Sequence, residues 1–220
     1  MRPSRLLLFA ALGLAACGGG DSSSSSKIEQ TTTAASASGC TPARANVHPN
    51  GGFTRPKAKL DAKKTYRLVF QTNCGAFTVT LNQRLAPNTT ASLVSLARRG
   101  FFTDTFFHRI VPGFVIQGGD PTGRGTGGPG YKTVDRPPKN AAYTHGVVAM
   151  AKQASEPPGT SGSQFFVVTA PDAGLPAEYA IVGKVTDGVD VVDRIGKLGD
   201  PNTEQPTETV VISRVRVQAS

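Results

Sequence analysis

The sequence predicts a mainly β fold, a closed or nearly closed antiparallel barrel with two helices, and three observations predict it. Short apolar runs recur between Gly and Pro punctuation: "FVIQG", "GVVAMA", "QFFVVT", "AIVGKV" and "VVISRVRV". One further pair of runs alternates apolar and polar residues across a tight turn, which is the pattern of a hairpin with one buried face. Only two segments carry helical spacing. Many short strands with few helices leave many edges, and closing the sheet on itself removes them.

The elements follow in order. In "TYRLVFQTNCGAFTVTLN", Phe77, Val79 and Leu81 alternate with Thr78, Thr80 and Asn82, and Asn73 to Gly75 supplies the turn, so two strands are expected. "APNTTASLVSLARRG" opens with Pro87, where a helix accepts proline, and presents Leu93, Val94, Leu96 and Ala97 on one face. It closes with Arg98, Arg99 and Gly100, which suit a negative helix end and a left-handed cap. "GVDVVDRIG", Gly188 to Gly196, is the second helix, with Val189, Val192 and Ile195 expected along its buried side. No internal repeat occurs.

The front of the chain is of another kind. Residues 1–16 contain Arg2 and Arg5, an apolar run from Leu6 to Leu14 and small residues leading into Cys17. The run is too short to span a bilayer comfortably and has the layout of an export signal; a buried core helix is the alternative. "LAAC" resembles the lipobox of bacterial lipoproteins, and that resemblance makes Cys17 the lipidated residue. Residues 17–60 are rich in Gly, Ser, Thr and Pro without apolar periodicity and read as a flexible tether, about 35 Å in root-mean-square reach. Residues 61–220 form the expected folded domain. The resulting expectation is a membrane-anchored protein outside the cytoplasm, with anchor and domain joined by the tether.

The formal net charge of +9 invites a nucleic-acid reading, but the cations are scattered and not interleaved with aromatics. Anionic lipid heads or wall polymers suit it better. With Cys17 set aside, Cys40 and Cys74 remain, and two thiols in an oxidising compartment are expected to pair; two free thiols are the alternative. Closing that loop gives roughly 3 to 4 kcal/mol in the chain-entropy model.

Several chemistries are excluded by pattern. "GGDPTGRGTGGPG" contains Gly123, Gly125 and Gly128 in the spacing of a dinucleotide loop, but Pro129, Gly130 and Tyr131 forbid the helix that must follow. His48, His108 and His145 lack ligand spacing, so no metal and no cofactor is expected. Ser161 to Ser163, "SGS", is not a nucleophile elbow. What stands out is "FHRIVPGFVIQGGD", where Arg109 sits among apolar side chains with no Ser, Cys, Lys or Glu beside it. A guanidinium is always charged and cannot be a base, so its placement against apolar surface needs a use.

"FHRIVPGFVIQGGDPTGRGTGG", "VAMA", "SGSQFFVVTA" and "IVGKV", in this order over about Tyr66 to Val217, resemble the cyclophilins, the peptidyl-prolyl cis-trans isomerases. "EPPGTSGSQFF" looks most like the bacterial, actinobacterial-type branch. The resemblance implies an eight-stranded closed barrel capped by two helices. It places the catalytic arginine on Arg109, its partner glutamine on Gln117, and the proline pocket on Phe114, Val115, Phe166 and Leu175. His108, Ala151, Lys152, Gln164 and Tyr179 match groove positions, the chain after "VAM" lending backbone groups to a bound peptide. Val115 stands where relatives often have Met, and Gly174 where eukaryotic relatives have Trp, a loss that argues against tight cyclosporin binding.

The implied function is isomerisation of X-Pro bonds in exported proteins, aiding their folding, by a monomer whose partners are proline-containing polypeptides and, through the anchor, a membrane. Two rivals stand beside it. One is a non-catalytic proline-peptide binding module or holdase of the envelope, and the other is an envelope structural protein held by its basic charge.

Overall fold

The computed structural model describes residues 38–220; the expected signal segment, Cys17 and the first part of the expected tether lie outside them. The elements run β1 (Tyr66–Thr72), β2 (Gly75–Leu81), α1 (Pro87–Arg98), β3 (Thr105–Phe106), β4 (Arg109–Val111), β5 (Val115–Gly118) and β6 (Thr133–Val134). There follow β7 (Val147–Met150), β8 (Thr160–Ser161), β9 (Phe165–Val168), β10 (Ile181–Asp187), α2 (Val189–Gly196) and β11 (Val211–Ala219).

Nine strands form one antiparallel sheet in the order β3-β11-β1-β2-β10-β7-β9-β5-β4, and β6 pairs with β8 as a separate ribbon. The expected closed eight-stranded barrel is thus a nine-stranded sheet that curls, and no ladder joins its two edge strands. Those edges, β3 and β4, are separated in the chain only by Phe107 and His108, so the sheet must bend round until its ends meet. The covalent chain, not a hydrogen-bond ladder, completes the ring.

Inside the curl lies a core of Leu68, Phe70, Phe77, Val79, Phe107, Ile110, Ile116, Val148, Met150, Phe165 and Val167 with their neighbours. Phe70 stacks on Phe77 with centroids 4.8 Å apart, and Phe165 meets both Phe102 and Phe107 edge-on. α1 buries Leu93, Val94, Leu96 and Ala97, and packs against β6 and β11. Its N-terminus is capped at a distance. Ala86 has no side chain to offer, and the Asp135 carboxylate accepts from the Asn88 and Thr89 N–H groups instead. Gly100 takes the left-handed conformation after the last turn, φ 71°. α2 buries Val191, Val192 and Ile195; Val189, expected on that side, is 40% exposed. The buried stripe follows i, i+1, i+4 spacing, and Val189 falls in the first turn beyond its edge.

Residues 38–60, expected as part of the tether, lie against the domain. Cys40 and Cys74 form a disulfide, S–S 2.06 Å, that ties this segment to the β1–β2 turn. Thr41 N–H donates to the Asn73 carbonyl, and Asn73 Nδ2 returns a bond to the Thr41 carbonyl. Phe53 meets Phe101 edge-on at 4.9 Å beneath the Arg99 guanidinium. The contacts are backbone and side-chain hydrogen bonds, one crosslink, and Phe53 and Leu60 against the core, none of which produces an apolar period, so composition alone reads the segment as unstructured.

Candidate active site

Cross-strand register builds the site. Arg109 faces Gln117, Gln117 faces Phe166, and Phe166 faces Ala149, in one row across β4, β5, β9 and β7. Two rows away, on the same face, Val111 faces Val115 and Val115 faces Val168. The row between, Ile110, Ile116, Val167 and Val148, points into the core. Arg109 therefore projects from the outer face of the sheet, over a second apolar cluster of Val115, Tyr143, Val147, Ala149, Phe166 and Val168.

A cavity of about 240 Å³ opens here, lined by Arg109, Phe114, Val115, Gln117, Ala151, Lys152, Phe166, Leu175 and Tyr179. Nine of the eleven groove residues named from the sequence thus meet in one place. Gln164 lies beside them, in an adjoining depression that shares Gln117, Ala151 and Lys152. His108 does not line the cavity. The residue is half-buried, with both ring nitrogens out of water and neither partnered. Burial pushes its pKa down; the Asp120 charge opposes this and the Arg109 charge adds to it, so the imidazole stays neutral below the usual range.

A polar chain orients the guanidinium. Arg109 Nε donates to Glu204 Oε2 at 2.6 Å, and Nη1 reaches Gln117 Oε1 at 3.4 Å. Gln117 Nε2 donates to Gln164 Oε1 at 3.1 Å, and Gln164 Nε2 to the Gly127 carbonyl at 2.9 Å. Arginine carries five N–H donors, so Nη2 and the second hydrogen of Nη1 remain for an incoming acceptor. At 34% exposure the Arg109 side chain is half in water and half over the cluster.

Gly127 is held in turn by Asp120, whose Oδ2 accepts the Gly127 N–H while Oδ1 accepts from Thr122 N and Oγ1. Burial pushes the Asp120 pKa up, but these hydrogen bonds together outweigh it and leave the carboxyl below its usual range. A Cβ at Gly127 would collide with Asp120 Oδ1, so the position requires glycine.

Lys152 forms part of the wall, but its charge is already engaged. The side chain is 3% exposed, and Nζ bonds Glu178 Oε2 at 2.9 Å and the Glu156 carbonyl at 3.1 Å, with the Tyr179 ring 5.7 Å away. The Ala151 N–H is spent on the Gln164 carbonyl, so a bound chain can use only its carbonyl. Tyr143 OH donates to the Tyr179 carbonyl and accepts from its N–H, fixing the segment that carries Leu175 and Tyr179. Among the described residues no group of three or more His, Cys, Asp or Glu could hold a metal. Glu204, Asp120, Tyr143 and Gly127 were not legible as site residues. Glu204 lies 95 positions from Arg109, in a loop without any motif.

Residues 67–217 match the family model of the cyclophilin type peptidyl-prolyl cis-trans isomerases. Peptidyl-prolyl cis-trans isomerase CYP18-2 of Arabidopsis thaliana is 38% identical over 154 residues, 68% of this chain and 92% of the relative. Peptidyl-prolyl cis-trans isomerase-like 1 of Aspergillus fumigatus is 39% identical over 154 residues, 68% of this chain and 94% of the relative. Among solved structures, a Cryptosporidium parvum cyclophilin type isomerase superposes with a TM-score of 0.64 at 28% identity, covering 70% of this chain and 98% of its own. The same protein in the presence of the dipeptide Ala-Pro gives 0.64 at 29% identity, covering 69% and 98%. A curled antiparallel sheet, an arginine above an apolar cluster outside the main core, and this family match over most of the described residues agree: the chain belongs to the cyclophilins and is a peptidyl-prolyl cis-trans isomerase.

Proposed function

We propose that Arg109 is the catalytic group of this isomerase and that it acts without any covalent step. Rotation about an X-Pro bond faces a barrier of about 18 to 20 kcal/mol that comes from amide conjugation. As the amide twists, the prolyl nitrogen regains a lone pair, which a fixed donor can meet. An unspent Arg109 N–H stabilises that state more than either planar state, which lowers the barrier. Because the guanidinium keeps its proton at all working pH values, no proton transfer is needed.

Phe114, Val115, Phe166 and Leu175 seat the ring, and Gln117 orients the guanidinium while itself held by Gln164. Ala151, Lys152 and Tyr179 flank the bound chain, and His108 lines the groove beside Arg109. The observation that carries this reading is the row in which Arg109 and Gln117 stand directly across from each other beside Phe166, with donors left over. Isomerisation of an Ala-Pro peptide tests it. Loss of one preorganised donor costs roughly 10² to 10³-fold, so Arg109→Ala should lower kcat/KM by that order. Arg109→Ala with wild-type turnover would leave a groove that only binds proline segments.

The biological setting is part of the same proposal: an exported protein anchored by lipid at Cys17, accelerating the folding of exported chains. The basic and apolar pattern of residues 1–17 and the Cys40–Cys74 disulfide support it. A lipid anchor resists high salt and yields to detergent, whereas charge alone releases in salt. Membrane fractions of the producing cell, washed both ways, with Cys17→Ser alongside, decide it; release of the unaltered protein by salt sinks the anchor.

A further inference from the structure

We infer that residues 40–53 are a positioning strap for the isomerase site, holding the glycine-rich loop from which the Gln164, Gln117 and Arg109 chain hangs. The family match begins at residue 67, so the strap lies outside the matched region. It is latched at one end by the Cys40–Cys74 disulfide and the paired bonds between Thr41 and Asn73. From there it crosses to the loop. His48 N–H donates to the Pro121 carbonyl at 2.7 Å, Gly51 N–H to the Gly128 carbonyl at 2.9 Å, and Phe53 N–H to the Pro129 carbonyl at 3.1 Å. Gly128 N–H donates to Asn50 Oδ1 at 2.9 Å, so Gly128 is gripped through both its donor and its acceptor.

The neighbouring Gly127 carbonyl receives Gln164 Nε2, and the chain then runs through Gln117 to the Arg109 Nη1. Gly123, Gly125 and Gly130 all take positive φ, so the loop's own backbone is permissive and gains its definition from what holds it. The contact is fitted: Gly51 and Gly52 turn the strap at φ 79° and 78°, and a Cβ on Gly130 would approach Gly51 Cα to 3.1 Å. Asn50 and Gly51 therefore act on the reaction through Gly127 and Gln164. They are positioning residues, and touch no part of the cavity.

The inference rests on the assignment of Arg109, and the test separates the two. In the full chain, Asn50→Ala removes the acceptor for the Gly128 N–H, and Asn50→Asp keeps one. With an Ala-Pro peptide, at a temperature where circular dichroism shows every variant folded, Asn50→Ala should lower kcat/KM by roughly two- to five-fold, the scale of one lost hydrogen bond. The loss should fall mainly on kcat, Asn50→Asp should restore it, and amide exchange at Gly128 should quicken only in Asn50→Ala. The pair Cys40→Ser with Cys74→Ser, which frees the latch, should lower kcat as well. Wild-type kcat/KM in Asn50→Ala, or a loss that Asn50→Asp does not rescue, overturns the strap. If Arg109→Ala also keeps its activity, the catalytic assignment falls; if it collapses while Asn50→Ala does not, the strap alone falls.

Discussion

The outer surface of the sheet has two halves that could hardly differ more. Across β4, β5, β9 and β7 it is apolar, carries Val115, Phe166, Val168 and Ala149, and is covered by Tyr143, Leu175 and Tyr179 to make a second cluster outside the main core. Across β11, β1, β2 and β10 it is wet and cationic. Arg67, Lys184, Arg214 and Arg216 stand on it, with Asp187 at one end and, among the described residues, no ion pair to any of the four. A broad depression of about 620 Å³ on this second half is edged by Lys64, Arg84 and Lys184 and, unlike the cavity under Arg109, has no aromatic side chain in its walls. The lesson is that the site lies where a sheet buries both faces. A half-exposed strand such as β1 alternates, whereas β7 and β9 are buried at every residue.

Emptying the apolar half gives the largest expected effect. Phe166→Ala removes a side chain that is 5% exposed and touches Tyr143 and Tyr179 edge-on or tilted. It should cost about 3 to 5 kcal/mol in urea unfolding and raise KM for Ala-Pro peptides. Thr80→Ala, on the wet half, should stay within about 0.5 kcal/mol. Equal losses at the two positions would erase the contrast.

Acid sharpens the comparison at an intermediate level, because His108 and Asp120, both lowered, respond in the same direction. His108 has a folded pKa below its unfolded value near 6.5, so the unfolded chain binds the extra proton first and stability falls as pH drops from about 6.5. Asp120 is also held low, so its contribution is present above its unfolded pKa near 3.9 and is lost as pH falls through the still lower folded value. Melting scans should therefore show a first decline between roughly pH 7 and 5 that His108→Leu flattens, and a second at lower pH that it leaves in place. A first decline unchanged in His108→Leu would move that proton elsewhere.

The smallest effect belongs to the cationic half. Replacing Arg67, Lys184, Arg214 and Arg216 together by Gln should leave kcat/KM within about two-fold, because none of them reaches the cavity and exposed charges couple weakly through salt solution. The same variant should leave a cation exchanger at lower salt. A large loss of turnover would tie the two halves together electrostatically and end their separation.

Much of this was legible before any coordinates. The hairpin, the two helices and each long apolar strand announce themselves through period and punctuation, since side-chain alternation and turn residues are local properties of the chain. The resemblance carried by "FHRIVPGFVIQGGD" and "SGSQFFVVTA" named nine residues that line one cavity. His108 and Gln164, named with them, stand outside that lining, Gln164 in the adjoining depression. Val189 failed because helical spacing fixes a stripe only to within a residue at the first turn.

The sequence by itself determined where strands and helices fall, that the cation at position 109 could be no base, and that Cys40 and Cys74 were candidates to pair. Tertiary structure alone decided the register that sets Arg109 across from Gln117 and Gln117 across from Phe166, the approach of Glu204 and Asp135, and the docking of residues 38–60. Each of these depends on groups far apart in the chain. Their meeting is set by how the whole sheet curls and by which distant backbone groups find partners, and no local pattern of residue types encodes that.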